Sequence, residues 1–296
     1  MSHVVTSVYG LDKYNVLFVT LDCCRYDTLA EANTPFMKQV GTLRKAKTHG
    51  TYTLPAHLSF FMGYTPFVDE PPFEPYYSET RQLWRLRSSR SRKLNSVGMI
   101  LEGKNIIEGY RNIGWNTVGT GGVRWFRNST LTESFDKFLF FGSEDKTSVF
   151  VSRKKEDFSL NHQAEILKAV KDDKYFLFVN CSETHVPYDF GEGMHAKEID
   201  SIIEKAAPLW GCKHKYDIDK IDVTVDEIRK LHRLQIKAVE SIDNKLKQLI
   251  LKLKKPLLVL ICGDHGECFG ENRLWGHGYP AKEVMEVPLI IGQINE

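Results

Sequence analysis

Nowhere in these 296 residues does an apolar run approach the eighteen or so needed to cross a bilayer, and the opening MSHVVTSVYGLDKYN lacks a secretion signal's apolar core. A surplus of one charge is lacking too. Forty Lys and Arg face 38 Asp and Glu, a formal balance of +2, so bulk charge implies neither nucleic acid nor a membrane surface. Cysteine is sparse: there are six, and the adjacent Cys23 and Cys24 fit no zinc-knuckle spacing. That usage suits reduced core thiols rather than a disulfide framework, which makes the cytoplasm the expected compartment. No internal repeat or low-complexity tract interrupts the chain, and nothing in it demands a second domain.

What is present is a set of short apolar runs, each ending on polar residues. Tyr14 to Leu21 is rich in β-branched and aromatic residues and predicts a buried, parallel, central strand that stops at Asp22. Cys23 to Ala30 then reads as the start of a helix or a long loop, with Arg25 and Asp27 near Asp22. Asp22 either caps that turn or sits where open α/β sheets place ligands, at the carboxyl edge of a central strand. Lys174 to Cys181 repeats the pattern and puts Glu183 and His185 at the same kind of position. There His185 is either core packing or part of a site. Leu257 to Ile261 does so again, delivering Cys262, Gly263, Asp264 and His265 to a glycine-punctuated turn, with His277 following in a Trp-Gly-His-Gly context. A carboxylate beside an imidazole, just past a buried strand, suits a divalent cation or a charged substrate.

Helices are expected between these strands. Thr53 has the character of an N-cap, with Pro55 in the first turn, Leu58 to Met62 as an apolar face and Gly63 as the stop. Its hydroxyl either merely caps, or shares with the helix N-terminus an anion held there. His57 lies one turn on, within reach of the same anion or simply at the surface. Residues 103–120 read as helix, glycine turn and strand; Val223 to Leu253 reads as a core-facing amphipathic helix, and Val287 to Ile291 as one more strand. Alternating strands and helices predict a three-layer α/β/α sandwich around a largely parallel sheet, one domain over 1–296. The proline-rich, acidic-then-basic stretch within 67–96 reads as an excursion from that core, a lid or docking loop suited to a partner contact.

Three segments stand together: NVLFVTLDCCRYDTL, TYTLPAHLSFFMGYTP and ICGDHGECFGENRLWGHGYPAKEVMEVPLII. In this order they resemble the alkaline phosphatase superfamily, in its sulfatase-like branch of metal-dependent hydrolases and transferases. FLFVNCSETHVPY resembles that branch's middle motif. The likeness runs from about residue 14 to 292 and implies an alkaline phosphatase-like core. By position it implies that Asp22, Asp264 and His265 bind a metal and that Thr53 is a nucleophile also touching the metal. It implies substrate binding or proton transfer by His57, His185 and His277, the last two being the candidates to protonate the leaving group. Arg25 follows the Asp-x-x-Arg-x-Asp pattern and either pairs with Asp27 or joins the substrate contacts.

The departures are informative. Formylglycine sulfatases need Cys-x-Pro-x-Arg, where this chain has Thr53-Leu54-Pro55-Ala56-His57, so an aldehyde-hydrate nucleophile is excluded by the residue itself. A threonine alkoxide favours phosphoryl chemistry. Cys23 stands where a second carboxylate is usual, and no Asp-x-x-x-His pair supplies a second metal site; the expected cofactor is one divalent ion (Mn, Zn, Mg or Ca), with a second unlikely. The expected function is hydrolysis or transfer of a phosphate ester, phosphodiester or phosphonate. The alternatives are a sulfate-ester hydrolase, a phosphoryl transferase acting on a peptide, and a non-catalytic metal-stabilised binding protein. The expected partners are a small anionic ester or modified peptide, with neither nucleic acid nor a membrane.

Overall fold

The computed structural model describes residues 13–63, 84–86, 99–101, 105–128, 130–142, 154–171, 173–188, 190, 196–206, 222–271 and 274–296. Most of the 67–96 excursion therefore lies outside the described residues. Its described part is a short strand, β3 (Trp84–Leu86), paired in parallel with β4 (Met99–Leu101).

The frame is a seven-stranded sheet. Its core is β1 (Asn15–Leu21), flanked on one side by β7 (Tyr175–Cys181), β5 (Asn116–Gly121) and β6 (Lys137–Phe140), and on the other by β8 (Leu257–Gly263). All five run parallel. Beyond β8, the strand β11 (Glu286–Ile294) and then β2 (Arg44–Lys47) finish the sheet, each antiparallel to its inner neighbour. The parallel core suits residues such as those of β1 and β7, which are apolar on both faces and bury both.

Register then does the work that matters for function. Leu21, the last residue of β1, pairs with Cys181 at the end of β7 and with Gly263 at the end of β8. Three strands therefore stop level, and the next residues, Asp22, Ser182 and Asp264, emerge side by side at one rim. Gly263 permits the close approach, because a Cβ there would lie 2.5 Å from the Cys24 carbonyl oxygen.

Period-two alternation divides the core between the two faces. Leu17, Val19 and Leu21 pack with Val239, Ile242 and Leu246 of the long helix α8 (Val225–Ile250). Val16 and Phe18 lie on the opposite side with Leu54, Leu58 and Phe61 of α3 (Thr53–Met62), Ile107 of α4 (Ile106–Asn112) and Phe126 of α5 (Trp125–Asn128). The result is the expected α/β/α sandwich. Each fully buried Leu, Ile or Phe contributes about 1.5–3 kcal/mol, so two such clusters anchor the rim firmly. A capping box, Thr224 with Glu227, starts α8. Its buried Asp243 accepts hydrogen bonds from the amides of Phe36 and Met37, at 3.1 and 2.7 Å, satisfying the start of α2 (Pro35–Val40).

One local expectation is corrected. Thr53 is the first helical residue of α3, and the cap position belongs to extended Tyr52 (φ −161°), with no side-chain cap bond. The other end behaves as expected: Gly63 is left-handed (φ +64°) and its amide reaches the Ser59 carbonyl. No helix among the described residues is long and apolar enough to cross a membrane.

Candidate active site

The turn after β1 and the turn after β8 meet face to face. One ligand atom each from Asp22, Asp264 and His265 lie within 4.8 Å of one another, and all three residues are fully buried. His265 Nε2 stands 3.8 Å from Asp22 Oδ1 and 3.6 Å from Asp264 Oδ2. Its other nitrogen, Nδ1, lies 2.9 Å from the Gly266 carbonyl; that contact places the ring proton on Nδ1 and leaves a lone pair on Nε2. Asp264 Oδ1 is used twice, accepting the amides of His265 (2.8 Å) and Cys23 (3.2 Å). Asp264 Oδ2 and His265 Nε2, however, are buried with no hydrogen-bond partner. Two acceptor atoms aimed at one point, both desolvated, carry a cost of a few kcal/mol unless a positive charge joins them. Oxygen and imidazole donors at this spacing fit a divalent ion.

The electrostatics agree. Burial, reinforced by Asp22, pushes the Asp264 carboxyl well above the usual carboxylate range. Burial, with His277 nearby, pulls His265 well below the ordinary imidazole value. A cation reverses both pressures at once.

Around this centre the chain adds a second tier. Asn180, next to last in β7, donates to Asp22 Oδ2 (3.3 Å) and to the Thr20 hydroxyl (3.1 Å). The Thr184 hydroxyl donates to the Asp22 carbonyl at 2.6 Å. Cys23 takes the left-handed conformation (φ +60°), uncommon for a residue with a Cβ. Its thiol lies 3.4 Å from Asp22 Oδ1 and 3.6 Å from His277 Nδ1.

His277 and His185 close the far side, with ring centroids 5.6 Å apart; His277 is 4.5 Å from His265. The loop carrying His277 is tied to the approach to α3, for the Gly278 amide donates to the Thr51 carbonyl at 2.8 Å. His277 Nδ1 is 3.1 Å from Oε1 of buried Glu267, whose other oxygen accepts the Tyr188 hydroxyl. Burial raises the Glu267 carboxyl to about 7, and burial with His185 nearby lowers His277 to about 3. Both directions oppose a carboxylate–imidazolium ion pair and keep the His277 ring neutral. His185 is the most open of the three rings, and its Nδ1 is 2.9 Å from the Val186 carbonyl.

The expected site residues thus divide. Asp22, Asp264, His265, His185 and His277 converge, with the start of α3 beside them. His57 does not open onto this space. It is fully buried behind it, Nε2 3.1 Å from the Thr20 hydroxyl, its ring edge-on to Phe61, Phe126 and Phe178. Its Nδ1 stands 2.7 Å from the Thr53 carbonyl and 3.8 Å from Asp264 Oδ2, so it links the start of α3 to Asp264 from behind. Arg25 is likewise engaged elsewhere, gripping Asp27 (2.5 and 2.8 Å), Glu271 (2.5 Å) and the Glu267 carbonyl (3.3 Å), which is the structural alternative of the two. Glu183 turns from the rim toward Lys245 of α8, at 3.6 Å.

Residues that sequence reasoning passed over are Glu267, Tyr188, Asn180 and Gln235. A weak signal existed for each: a carboxylate two places after His265, a tyrosine closing the segment FLFVNCSETHVPY, an asparagine inside an apolar strand, and a glutamine on the buried stripe of α8 between Leu231 and Val239.

Fold and site together define a member of the alkaline phosphatase-like superfamily. The chain belongs to the sulfatase family, whose model (Sulfatase) matches residues 25–293. No match was found among curated protein sequences. Among solved structures it is similar to a 2-O GAG sulfatase, at 12% identity and TM-score 0.62, over 95% of this chain and 64% of that one. It is similar to the C-terminal periplasmic domain of EcEptC from Escherichia coli in complex with Zn, at 12% identity and TM-score 0.57, over 95% and 73%. It is also similar to the soluble domain of lipooligosaccharide phosphoethanolamine transferase A from Neisseria meningitidis, at 14% and 0.57, over 95% and 76%. At such identities the likeness is one of fold.

Proposed function

We propose that this protein is a metal-dependent hydrolase or transferase of a phosphate ester, phosphodiester or phosphonate, with Thr53 as nucleophile. The observation that carries this reading is the pair of buried, unpartnered acceptors, Asp264 Oδ2 and His265 Nε2, facing Asp22 beside the N-terminus of α3. Asp22, Asp264 and His265 would hold a divalent ion, whose charge would favour the alkoxide of Thr53 and polarise the ester oxygen. The amides of Thr53 and Leu54, ahead of Pro55 at the start of the ten-residue α3, stabilise the equatorial oxygens as charge builds on them. Thr53 Oγ releases its proton to solvent and forms the new bond to phosphorus as the ester oxygen departs. His185, the open histidine, keeps its Nδ1–H on the Val186 carbonyl and relays a proton through Nε2 to that leaving oxygen, and water or an alcohol acceptor then resolves the phosphothreonine. His277, held by Glu267, orients the substrate.

The sulfatase family model and the likeness in fold to a 2-O GAG sulfatase support sulfuryl transfer as the second reading. A small anionic ester or modified peptide remains the proposed substrate. A cytoplasmic setting is in keeping with the free, buried Cys23, Cys24, Cys181, Cys262 and Cys268. The test is a substrate panel with and without an added alcohol, followed by acid-quench mass spectrometry. Wild type is expected to carry a phosphate on Thr53; Thr53→Ala is expected to bind metal normally and lose turnover. Full activity in that variant refutes the nucleophile.

A further inference from the structure

We propose that Cys23 is a direct sulfur ligand of the bound ion and that it commits the site to a thiophilic metal, Zn²⁺ in the first place, over Mg²⁺ and Ca²⁺. The inference rests on the reading of Asp22, Asp264 and His265 as a metal site and deepens it by naming the metal's chemical class.

The argument begins with how firmly Cys23 is aimed. A cysteine at φ +60° pays roughly 1–2 kcal/mol for a conformation that glycine or asparagine adopts more cheaply, and such strain persists only where the surroundings impose it. Here they do so from both sides. The Cys23 amide donates to Asp264 Oδ1 at 3.2 Å, and its carbonyl accepts from the Gln235 amide at 3.0 Å. The backbone is thus pinned between an acid of the site and the long helix, and the side chain is delivered inward.

The thiol arrives among ligand atoms. Cys23 Sγ, a nitrogen of His265 and one of His277 lie within 4.8 Å of one another, and so do Cys23 Sγ, a carboxylate oxygen of Asp22 and a nitrogen of His185. The other described cysteines, Cys24, Cys181, Cys262 and Cys268, are buried too, yet none joins such a group. A purely structural thiol is the competing account: a small apolar group donating one weak hydrogen bond to Asp22. That account gives no reason why this thiol, alone among the described cysteines, is the member shared by two clusters of potential ligand atoms, with its backbone held left-handed to keep it there.

Sulfur changes which metal the site prefers. Carboxylates and imidazoles alone serve Mn²⁺, Zn²⁺ and, with more oxygen, Mg²⁺ and Ca²⁺; a thiolate strongly favours Zn²⁺ and disfavours the hard ions. A thiolate grouped with the imidazoles of His265 and His277 on one side, and with Asp22 and His185 on the other, offers the mixed sulfur, nitrogen and oxygen donors that zinc takes. On binding, the S–H bond breaks, the sulfur–metal bond forms and the proton leaves to solvent.

The experiment loads the metal-free full chain with Co²⁺, a spectroscopic stand-in for Zn²⁺, and records its absorption together with that of Cys23→Ser and Cys23→Asp. A near-ultraviolet sulfur-to-cobalt charge-transfer band is expected in the wild type. In both variants that band should vanish while the visible ligand-field bands persist. Zn²⁺ competition against a chelating dye should show at least a tenfold weaker affinity in Cys23→Asp, since even outer-shell changes cost 10–100-fold. The same variant should gain affinity for Mg²⁺. One equivalent of bound Co²⁺ with no sulfur band in the wild type overturns the proposal and leaves the carboxylate–histidine site standing. Absence of any bound metal overturns both. The wild-type spectrum decides the matter even if a variant fails to fold.

Discussion

Gln235, near the middle of α8, donates its side-chain amide to the main-chain carbonyl of Cys23 at 3.0 Å, across 212 positions of sequence. The same amide also donates to the Thr184 carbonyl at 3.0 Å, and the Gln235 Oε1 accepts the Thr28 hydroxyl at 2.7 Å. One buried side chain thus holds the turn after β1 and the turn after β7 in fixed relation. Gln235→Leu conserves volume and removes all three bonds, leaving two buried carbonyls unpaired. We expect a loss of about 2–4 kcal/mol in urea unfolding. Metal affinity should fall as well, although Gln235 is not among the ligands, because the cradle that presents Asp22 and Cys23 loosens. A variant that unfolds early yet binds metal with unchanged affinity would confine Gln235 to stability alone.

Asp22 and Asp264 set binding against stability. Facing each other in a buried pocket, they repel, and the Asp264 carboxyl is held well above its usual range by burial and by that neighbour. Asp264→Asn keeps an Oδ1 able to accept the amides of Cys23 and His265 and removes the charge. In chelator the variant should unfold at the same temperature as wild type or higher. With metal present the order reverses: wild type gains about 2.7 kcal/mol at a hundredfold excess over Kd, and the variant gains nothing. Thermal scans with and without chelator test this. An equal metal-induced rise in both proteins removes Asp264 from the ligand set.

Glu267 accepts two donors at once, the Tyr188 hydroxyl and the ring of His277, which only a carboxylate can do with both oxygens. In Glu267→Gln one of those acceptors becomes an NH₂ donor. If the amide nitrogen faces His277, the imidazole must give up its Nδ1 proton and carry it on Nε2. The expected result is a 10- to 100-fold drop in kcat with little change in KM. Nitrogen NMR of His277 should report the opposite ring tautomer. A kcat loss with an unchanged tautomer would assign Glu267 a packing role only.

The strands and their order of use were readable because apolar runs ending in Asp22, Ser182–Glu183 and Asp264 each announce a strand and a rim. That the three rims are level was not readable, since it depends on Leu21 pairing with Cys181 and Gly263, a register set by the assembled sheet. The direction of single side chains was least visible. His57 follows Thr53 by one helical turn, which suggests a shared anion, but eight of the ten residues of α3 are buried and the turn it occupies faces the aromatic core. Glu183 stands one residue past Ser182 at the rim, yet Lys245 on α8 draws it to the other side. Cys23 reads in sequence as a missing carboxylate; only its φ of +60° and its neighbours reveal where the sulfur points.

His57 offers a test that needs no substrate. Burial among aromatic rings lowers its pKa to about 4, against an ordinary value of 6.5. Between those values the unfolded chain takes up a proton that the folded chain refuses, so stability rises with pH across this window. The contribution is complete above pH 6.5 and is lost as pH falls toward 4. The full span is worth about 3 kcal/mol. His57→Gln cannot protonate, and although it costs packing against Phe126 and Phe178, that cost is the same at every pH. Urea unfolding at pH 7 and pH 5 should therefore show a smaller fall for the variant than for wild type, by about 2 kcal/mol. An identical fall in both proteins would mean that the imidazole is already protonated in the fold. The link His57 makes between the Thr53 carbonyl and Asp264 would then be an ion pair, and the neutral, core-facing role assigned to it here would be wrong.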